Sequence, residues 1–525
     1  MISERAASRL QLAVPPGERW WGGAVADGQA MPFGHSPHRR KLATSAGFVD
    51  DDDAGANQSA PLLVSSGGRY VWSDQPFEFA FDGAGAGGLT VQGHDLVCGQ
   101  GEPTLAGAFR AASTEHFPAA GRAPAPAMFA APQYNTWIEM PYHPTQEKVL
   151  AYVRGLLDAG FPPGLVMIDD QWSEDYGTWR FDRARFPDPA AMTSTLHDWG
   201  CTVMLWLVPF ISPDSETFRS LEEHGWLVRR PDGEPAVRRW WNGFSALLDL
   251  GHPGARQWLN DELHALMSEH GVDGFKFDAG DLTHYRDDDV ALAAGRVAQC
   301  EAWAKLGADY AFNEFRACWK MGGQPLAQRL HDKPPTWGHG GLGSLIPEGI
   351  AQGLIGHPYI CPDMIGGGEL GFLTEGAIDQ ELFVRYAQCA ALFPMMQFSL
   401  SPGRVLDEAH LAAVRAAVDL HQRLVPQLLT LVEHAARTGE PILRPLAYAY
   451  PGYEGVQDQF LLGTDLLCAP VLELGATTRR VVLPPGRWRG ADGQVTEGPA
   501  EVTIAVTLES IPLWTQEDEG TTAWR

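Results

Sequence analysis

The chain has 525 residues, 45% hydrophobic and 20% charged, a globular composition in a length that asks for roughly two to four domains unless one is a barrel of about 250 residues. Lys and Arg number 39 against 65 Asp and Glu, and a net charge of −26 argues against a phosphate backbone as partner, so no nucleic acid is expected. The seven Cys are widely spaced with no CxxC pair; they read as buried free thiols, not as a disulfide framework or a zinc ribbon.

The opening stretch MISERAASRLQLAVPPGERWW lacks the apolar run of roughly 7–15 residues that a signal peptide uses. No window approaches the ~18 apolar residues of a membrane span. The expectation is a soluble, cytoplasmic protein with no membrane partner. Residues 1–125 alternate short apolar or aromatic runs (GRYVWSD, FEFAFDG, LTVQG) with Gly, Pro and Asp clusters, which reads as an N-terminal β-sandwich. The acidic run Asp50–Asp53 reads as a solvated loop rather than a metal site. The Ala/Pro/Gly-rich segment Ala119–Met128 reads as a linker.

From 126 to 436 short apolar strands alternate with amphipathic helices. The strands are PQYNTWIEM, GLVMIDD, CTVMLWLVPF, SALLDL, GVDGFKFD, DYAFNEF, HPYICPD and ALFPMMQFSL. Helices are expected near 144–159, 189–199, 214–224, 253–270, 288–306 and 407–436. Repeated strand–helix units favour an α/β fold of the (β/α)8 TIM-barrel type over an open sheet. No G-x-G-x-x-G follows a strand, which argues against dinucleotide binding. Residues 437–525 return to strands and read as a C-terminal antiparallel β domain.

A barrel enzyme works where strands end and βα loops begin. Those ends carry Trp137 and Glu139, Asp169 and Asp170, Trp206, Lys276 and Asp278 with Asp281 just after, Glu314 and Arg316, and Asp363. They are carboxylates and aromatics rather than histidines. A metal-dependent barrel hydrolase would want an HxH on its first strand, which here reads YNTWIEM. HDKPPTWGHG carries two His on a loop with no ligand-spaced partner, and IGGG at Ile365–Gly368 lacks the Lys and Ser/Thr of a phosphate loop. No metal and no cofactor are expected. Paired carboxylates among Trp residues suit glycoside cleavage, one attacking and the other protonating the leaving oxygen while indole faces stack on the sugar. In GFKFDAGD, period two sends Lys276 and Asp278 to one side, into the barrel mouth. A cation beside Asp278 would keep it ionised, as a nucleophile requires.

At GFKFDAGD, PDMIGGG and QFLLGTDLLCAPVLELGATTRRVVLPPG the chain resembles glycoside hydrolase family 31, over roughly residues 130–510. IDDQW, FKFDAG and PDMIGGG most resemble its α-galactosidase-like branch, and YNTWIEM and IDDQW are also similar to the sister α-galactosidase families. The resemblance implies retaining hydrolysis of terminal α-linked sugars by two Asp residues, with Asp278 as nucleophile. It implies an acid/base Asp on a later loop, best matched by Asp332, 54 residues further on, with Arg316 as the upstream arginine. His331 stands where relatives usually have Gly, and Asp363 is the rival for the proton. The motif PDMIGGG otherwise assigns Asp363 to the sugar subsite. Asp169 matches a position that holds sugar hydroxyls, a task Asp170 shares; Lys276 and Arg316 join them, and Trp206, Trp241, Trp319 and Trp337 are candidate pocket walls.

The implied substrate is a small-molecule α-glycoside, an α-galactoside first, with α-glucosides and α-xylosides as alternatives and transglycosylation open. A non-catalytic carbohydrate-binding protein on the same fold would be expected to lose one of the two carboxylates. The sequence is silent on oligomeric state, and a homo-oligomer is compatible with it.

Overall fold

The short apolar runs of the middle of the chain assemble into one parallel sheet that curls until its edges meet. The computed structural model describes residues 7–42, 58–83, 87–292, 295–316, 319–370 and 378–517, so Asp50–Asp53 lies outside the described residues. Strand β1 (Gln133–Asn135) pairs with β2 (Leu165–Ile168), β2 with β3 (Thr202–Leu207), and β3 with β4 (Gly274–Phe277). The ladder continues through β5 (Asn313–Phe315), β6 (Gln328–Arg329) and β7 (Ile360–Cys361). After Pro362 and Asp363 the chain resumes as β8 (Met364–Ile365), which pairs with β9 (Gln397–Phe398), and β9 pairs back with β1. With β7 and β8 as halves of one broken stave, this is the expected eight-stave α/β barrel.

Local chemistry starts and stops the outer helices. Asp188 caps Pro189–Asp198 by accepting the Ala191 N–H at 3.0 Å, with Pro at the first turn. Pro253–His270 ends on Gly271 at φ 69°, a left-handed conformation that costs glycine nothing. The barrel strands are buried on both faces, as β3 (TVMLWL) illustrates with every residue from Val203 to Leu207 inside. Under the barrel mouth lies a polar layer. Gln397 Nε2 donates to Gln133 Oε1 and to Glu314 Oε2, both at 2.8 Å, and Asn135 Nδ2 donates to Gln397 Oε1 at 3.1 Å.

Two expectations change. SALLDL does not enter the barrel: Gly243–Leu247 pairs antiparallel with Val237–Trp240 and Phe210–Ile211, making a three-stranded insertion after β3. The stave it was expected to supply is β6, two residues long and without an apolar run to announce it.

The N-terminal strands form the expected β-sandwich, in which one long strand, Gly88–Gln100, serves both sheets. Its first half pairs with Ala7–Ala13 and Glu78–Asp82, and its second half with Arg69–Trp72. The last strands make a six-stranded antiparallel sheet from Leu443–Arg444 to Leu513–Gln516. No helix among the described residues is long and apolar enough to cross a membrane.

Candidate active site

The end of β4 turns sharply. Ala279 and Gly280 take φ 53° and 76°, and Asp278 is left at the rim with its N–H donated to the Leu207 carbonyl at 2.8 Å. Asp278 Oδ2 accepts from Trp206 Nε1 at 2.8 Å, and Oδ1 lies 3.1 Å from an Arg316 nitrogen. Burial alone would raise this carboxyl. Arg316, Lys276 and the Trp206 hydrogen bond outweigh it and hold Asp278 well below the usual carboxylate range. Lys276 does share the mouth, but its ammonium pairs with Asp169 at 2.7 Å, so the cation in contact with Asp278 is Arg316.

The other terminal nitrogen of the same guanidinium lies 3.2 Å from Asp332 Oδ2. Arg316 thus joins the two carboxylates across the barrel mouth. Asp332 Oδ1 also accepts from Arg329 at 2.8 Å. Its side chain is 30% exposed against 7% for Asp278, so Asp332 faces the opening while Asp278 sits in its floor. Burial pushes Asp332 up, and Arg329 and Arg316 bring it below its ordinary value.

Asp169 and Asp170 follow β2. Asp169 receives the Asp170 N–H at 2.9 Å, and its own N–H goes to Thr136 Oγ1 at 2.9 Å. Asp170 has no cation in contact; it accepts from Asn242 Nδ2 at 2.6 Å and Tyr176 Oη at 3.2 Å. Burial and the Asp169 charge push it up to about 7. Trp241 stands beside Asn242 in the three-stranded insertion, its ring 5.3 Å from the Arg316 guanidinium carbon.

Asp363 is fully buried at φ 77° in the break between β7 and β8. Its carboxylate accepts the N–H groups of Lys333 and Gly368, at 2.8 and 3.0 Å, and pairs with Arg329. That commits both oxygens to holding the Asp332 loop. Trp337 Nε1 donates to Asp379 at 2.8 Å. Trp319 is buried, and its indole N–H has no hydrogen-bond partner among the described residues.

Four residues at the site escaped the sequence reading: Arg329, Tyr176, Asn242 and Gln58. Arg329 closes β6 and binds Asp332, Asp363 and, at 3.4 Å, Glu314. Its adjacency to LHD was the available signal. Asn242 lies 72 residues from its partner Asp170 and Tyr176 only six, and no local pattern marks either. Among the described residues no group of three or more His, Cys, Asp and Glu side chains is arranged to hold a metal ion.

Comparison with known proteins bears on the family and the fold. Residues 126–318 match the glycosyl hydrolases family 31 TIM-barrel domain, and residues 439–519 the glycosyl hydrolase family 31 C-terminal domain. The myogenesis-regulating glycosidase of Mus musculus is 36% identical over 72% of this chain and 55% of its own length. The SITS-binding protein of Tetronarce californica is 30% identical over 57% of this chain and 46% of its own. The chain thus spans about half the length of these curated relatives. The fold of a GH31 dextranase from Flavobacterium johnsoniae, complexed with glucose, superposes with a TM-score of 0.83 at 19% identity, over 97% of this chain and 66% of that one. The chain belongs to glycoside hydrolase family 31.

Proposed function

We propose that the chain is a retaining exo-α-glycosidase, with Asp278 as nucleophile and Asp332 as acid/base, acting on a neutral terminal sugar and on α-galactosides first. The observation that carries the reading is the placement of Arg316, which touches Asp278 at 3.1 Å and Asp332 at 3.2 Å. Two carboxylates meet at one mouth, one held as an anion in the floor and the other facing the opening. That is the division of labour a double displacement needs.

Asp278 attacks the anomeric carbon, and the bond to the aglycone oxygen breaks as Asp332 delivers a proton to it. Water then adds to the anomeric carbon of the glycosyl ester, giving its proton to Asp332, and Asp278 leaves as carboxylate. The charge cycle bears on how one group would serve both roles. While Asp278 is an anion its charge raises the proton affinity of Asp332, against Arg329 and Arg316, which together hold that carboxyl below its ordinary value. Esterification removes that charge, and Arg329 and Arg316 then favour the ionised form that serves as base.

A neutral sugar fits the charge balance. Lys276 is paired with Asp169, Arg316 with Asp278 and Asp332, and Arg329 with three carboxylates. The galactoside preference rests on the motif resemblance of IDDQW, FKFDAG and PDMIGGG. The test is a panel of aryl α-glycosides (galactoside, glucoside, xyloside, N-acetylgalactosaminide) with the first-formed anomer read by NMR. The α-anomer is expected first, from the galactoside fastest; the β-anomer first would overturn retention. Asp278→Ala is expected to lose turnover, and full activity in that variant would remove it as nucleophile.

A further inference from the structure

We infer that Gln58, a side chain of the N-terminal sandwich, is a positioning residue for the acid/base loop of the barrel. The inference rests on the reading of Asp332 as proton donor. Gln58 immediately precedes the strand Ser59–Ser65 and is 2% exposed. Its Nε2 donates to the Arg329 carbonyl at 2.7 Å, and its Oε1 accepts the His331 N–H at 2.9 Å.

These two backbone groups are a matched pair. Along β6 and its continuation, the N–H groups of Gln328 and Leu330 point to one side and bond to the carbonyls of Tyr359 and Cys361. Alternation turns residues 329 and 331 to the other side, toward β5. Among the described residues β5 ends at Phe315, whose pairing partner is Gln328, and no described strand reaches beyond that pair on this side. The Gln58 amide, a donor and an acceptor side by side, meets these two groups as a strand edge would. An apolar side chain in its place would leave the buried Arg329 carbonyl without this donor and the part-buried His331 N–H without this acceptor.

The peptide on the other side of Asp332 is held as well, since the Lys333 N–H is donated to Asp363 at 2.8 Å. Asp332 is therefore set between two clamped peptides, one clamped from the barrel's own broken stave and one from the sandwich. Arg329 lies inside the clamp from the sandwich and reaches Asp332 Oδ1 at 2.8 Å, so a shift of this backbone moves both the acid and its cation. Displacements of about 1 Å at a proton donor cost on the order of 100-fold in rate.

The readout is leaving-group dependence, which a merely structural role would not move. A 2,4-dinitrophenyl α-glycoside departs without a proton; a phenyl α-glycoside needs one. With the sugar that the panel finds fastest, kcat/KM reports the first displacement for both. Gln58→Leu is expected to lose on the order of 10-fold or more on the phenyl glycoside and less than about 2-fold on the dinitrophenyl glycoside. Gln58→Glu keeps the acceptor for His331 and is expected to fall between, which keeps the test open if the Leu variant does not fold.

Asp332→Ala is run beside them. If it discriminates strongly between the two leaving groups while the folded Gln58 variant lowers both equally, or neither, the inference is overturned and the acid assignment stands. If Asp332→Ala does not discriminate, the acid assignment falls, and the inference with it.

Discussion

Asp169 and Asp170 are adjacent, equally buried and both at the end of one strand, yet the barrel treats them oppositely. Asp169 has the Lys276 ammonium at 2.7 Å. Among the described residues Asp170 has neutral donors, Asn242 and Tyr176 among them, and no cation in contact, with the Asp169 charge beside it. Burial and that neighbour raise its carboxyl to about 7, against roughly 3.9 in an unfolded chain. Between those two values the folded state binds more protons than the unfolded one. Stability contributed here is therefore complete below the unfolded value and is lost as pH rises through about 7. Asp170→Asn removes the titration and keeps a carbonyl oxygen for the same donors. Wild type and variant are expected to melt at similar temperatures near pH 4, with the variant the more stable by pH 8. Calorimetric melting across that range checks it, and a gap that closes as pH rises would refute the assignment.

The site assembles from elements of very different legibility. Staves such as β3 and β4 announce themselves, because a strand buried on both faces needs a run of apolar residues and TVMLWL and GFKF supply one. Period two then places Lys276 and Asp278 together correctly. That Arg316 rather than Lys276 touches Asp278 is decided by the curvature of the barrel, which no spacing within GFKFD encodes. β6 is hidden for the opposite reason: at two residues, Gln328–Arg329, it has no period to detect. SALLDL misleads because its apolar residues bury against the insertion rather than the barrel axis. The insertion bears on the proposed site through Asn242, which donates to Asp170 at 2.6 Å and to Tyr176 Oη at 2.8 Å and so ties Trp241, the proposed pocket wall, to the end of β2. Asn242→Ala is expected to raise KM roughly tenfold with a smaller change in kcat, since one or two hydrogen bonds at about 1 kcal/mol each hold that wall in register. Steady-state kinetics on the preferred aryl glycoside separates the two parameters. An unchanged KM would take the insertion out of the sugar pocket.

At the scale of the molecule, the sandwich and the barrel share one continuous hydrophobic core, from Trp20 and Phe79 through Leu345 to Phe398. The contact is closest where the turn Val25–Ala30 meets the helix Leu345–Leu354. A Cβ on Gly28 would lie 2.7 Å from the backbone nitrogen and Cα of Glu348, closer than real contacts allow. Only glycine lets these two backbones touch. Charged groups flank the contact on both sides: Asp27 binds Arg40 and, at 3.2 Å, His38, while Glu348 binds the buried Lys333. Lys333 directly follows Asp332, so an expansion here is expected to reach the loop of the proposed acid/base as well as the interface. Gly28→Ala must push the helix outward, an overpacking that costs about 1–3 kcal/mol. The expected result is a melting temperature lower by a few degrees. Measured well below that temperature, activity on a phenyl α-glycoside should fall more than activity on the dinitrophenyl compound, because the strain reaches Asp332 and not Asp278. Equal losses on both substrates would mean that the interface supports the fold without steering the acid.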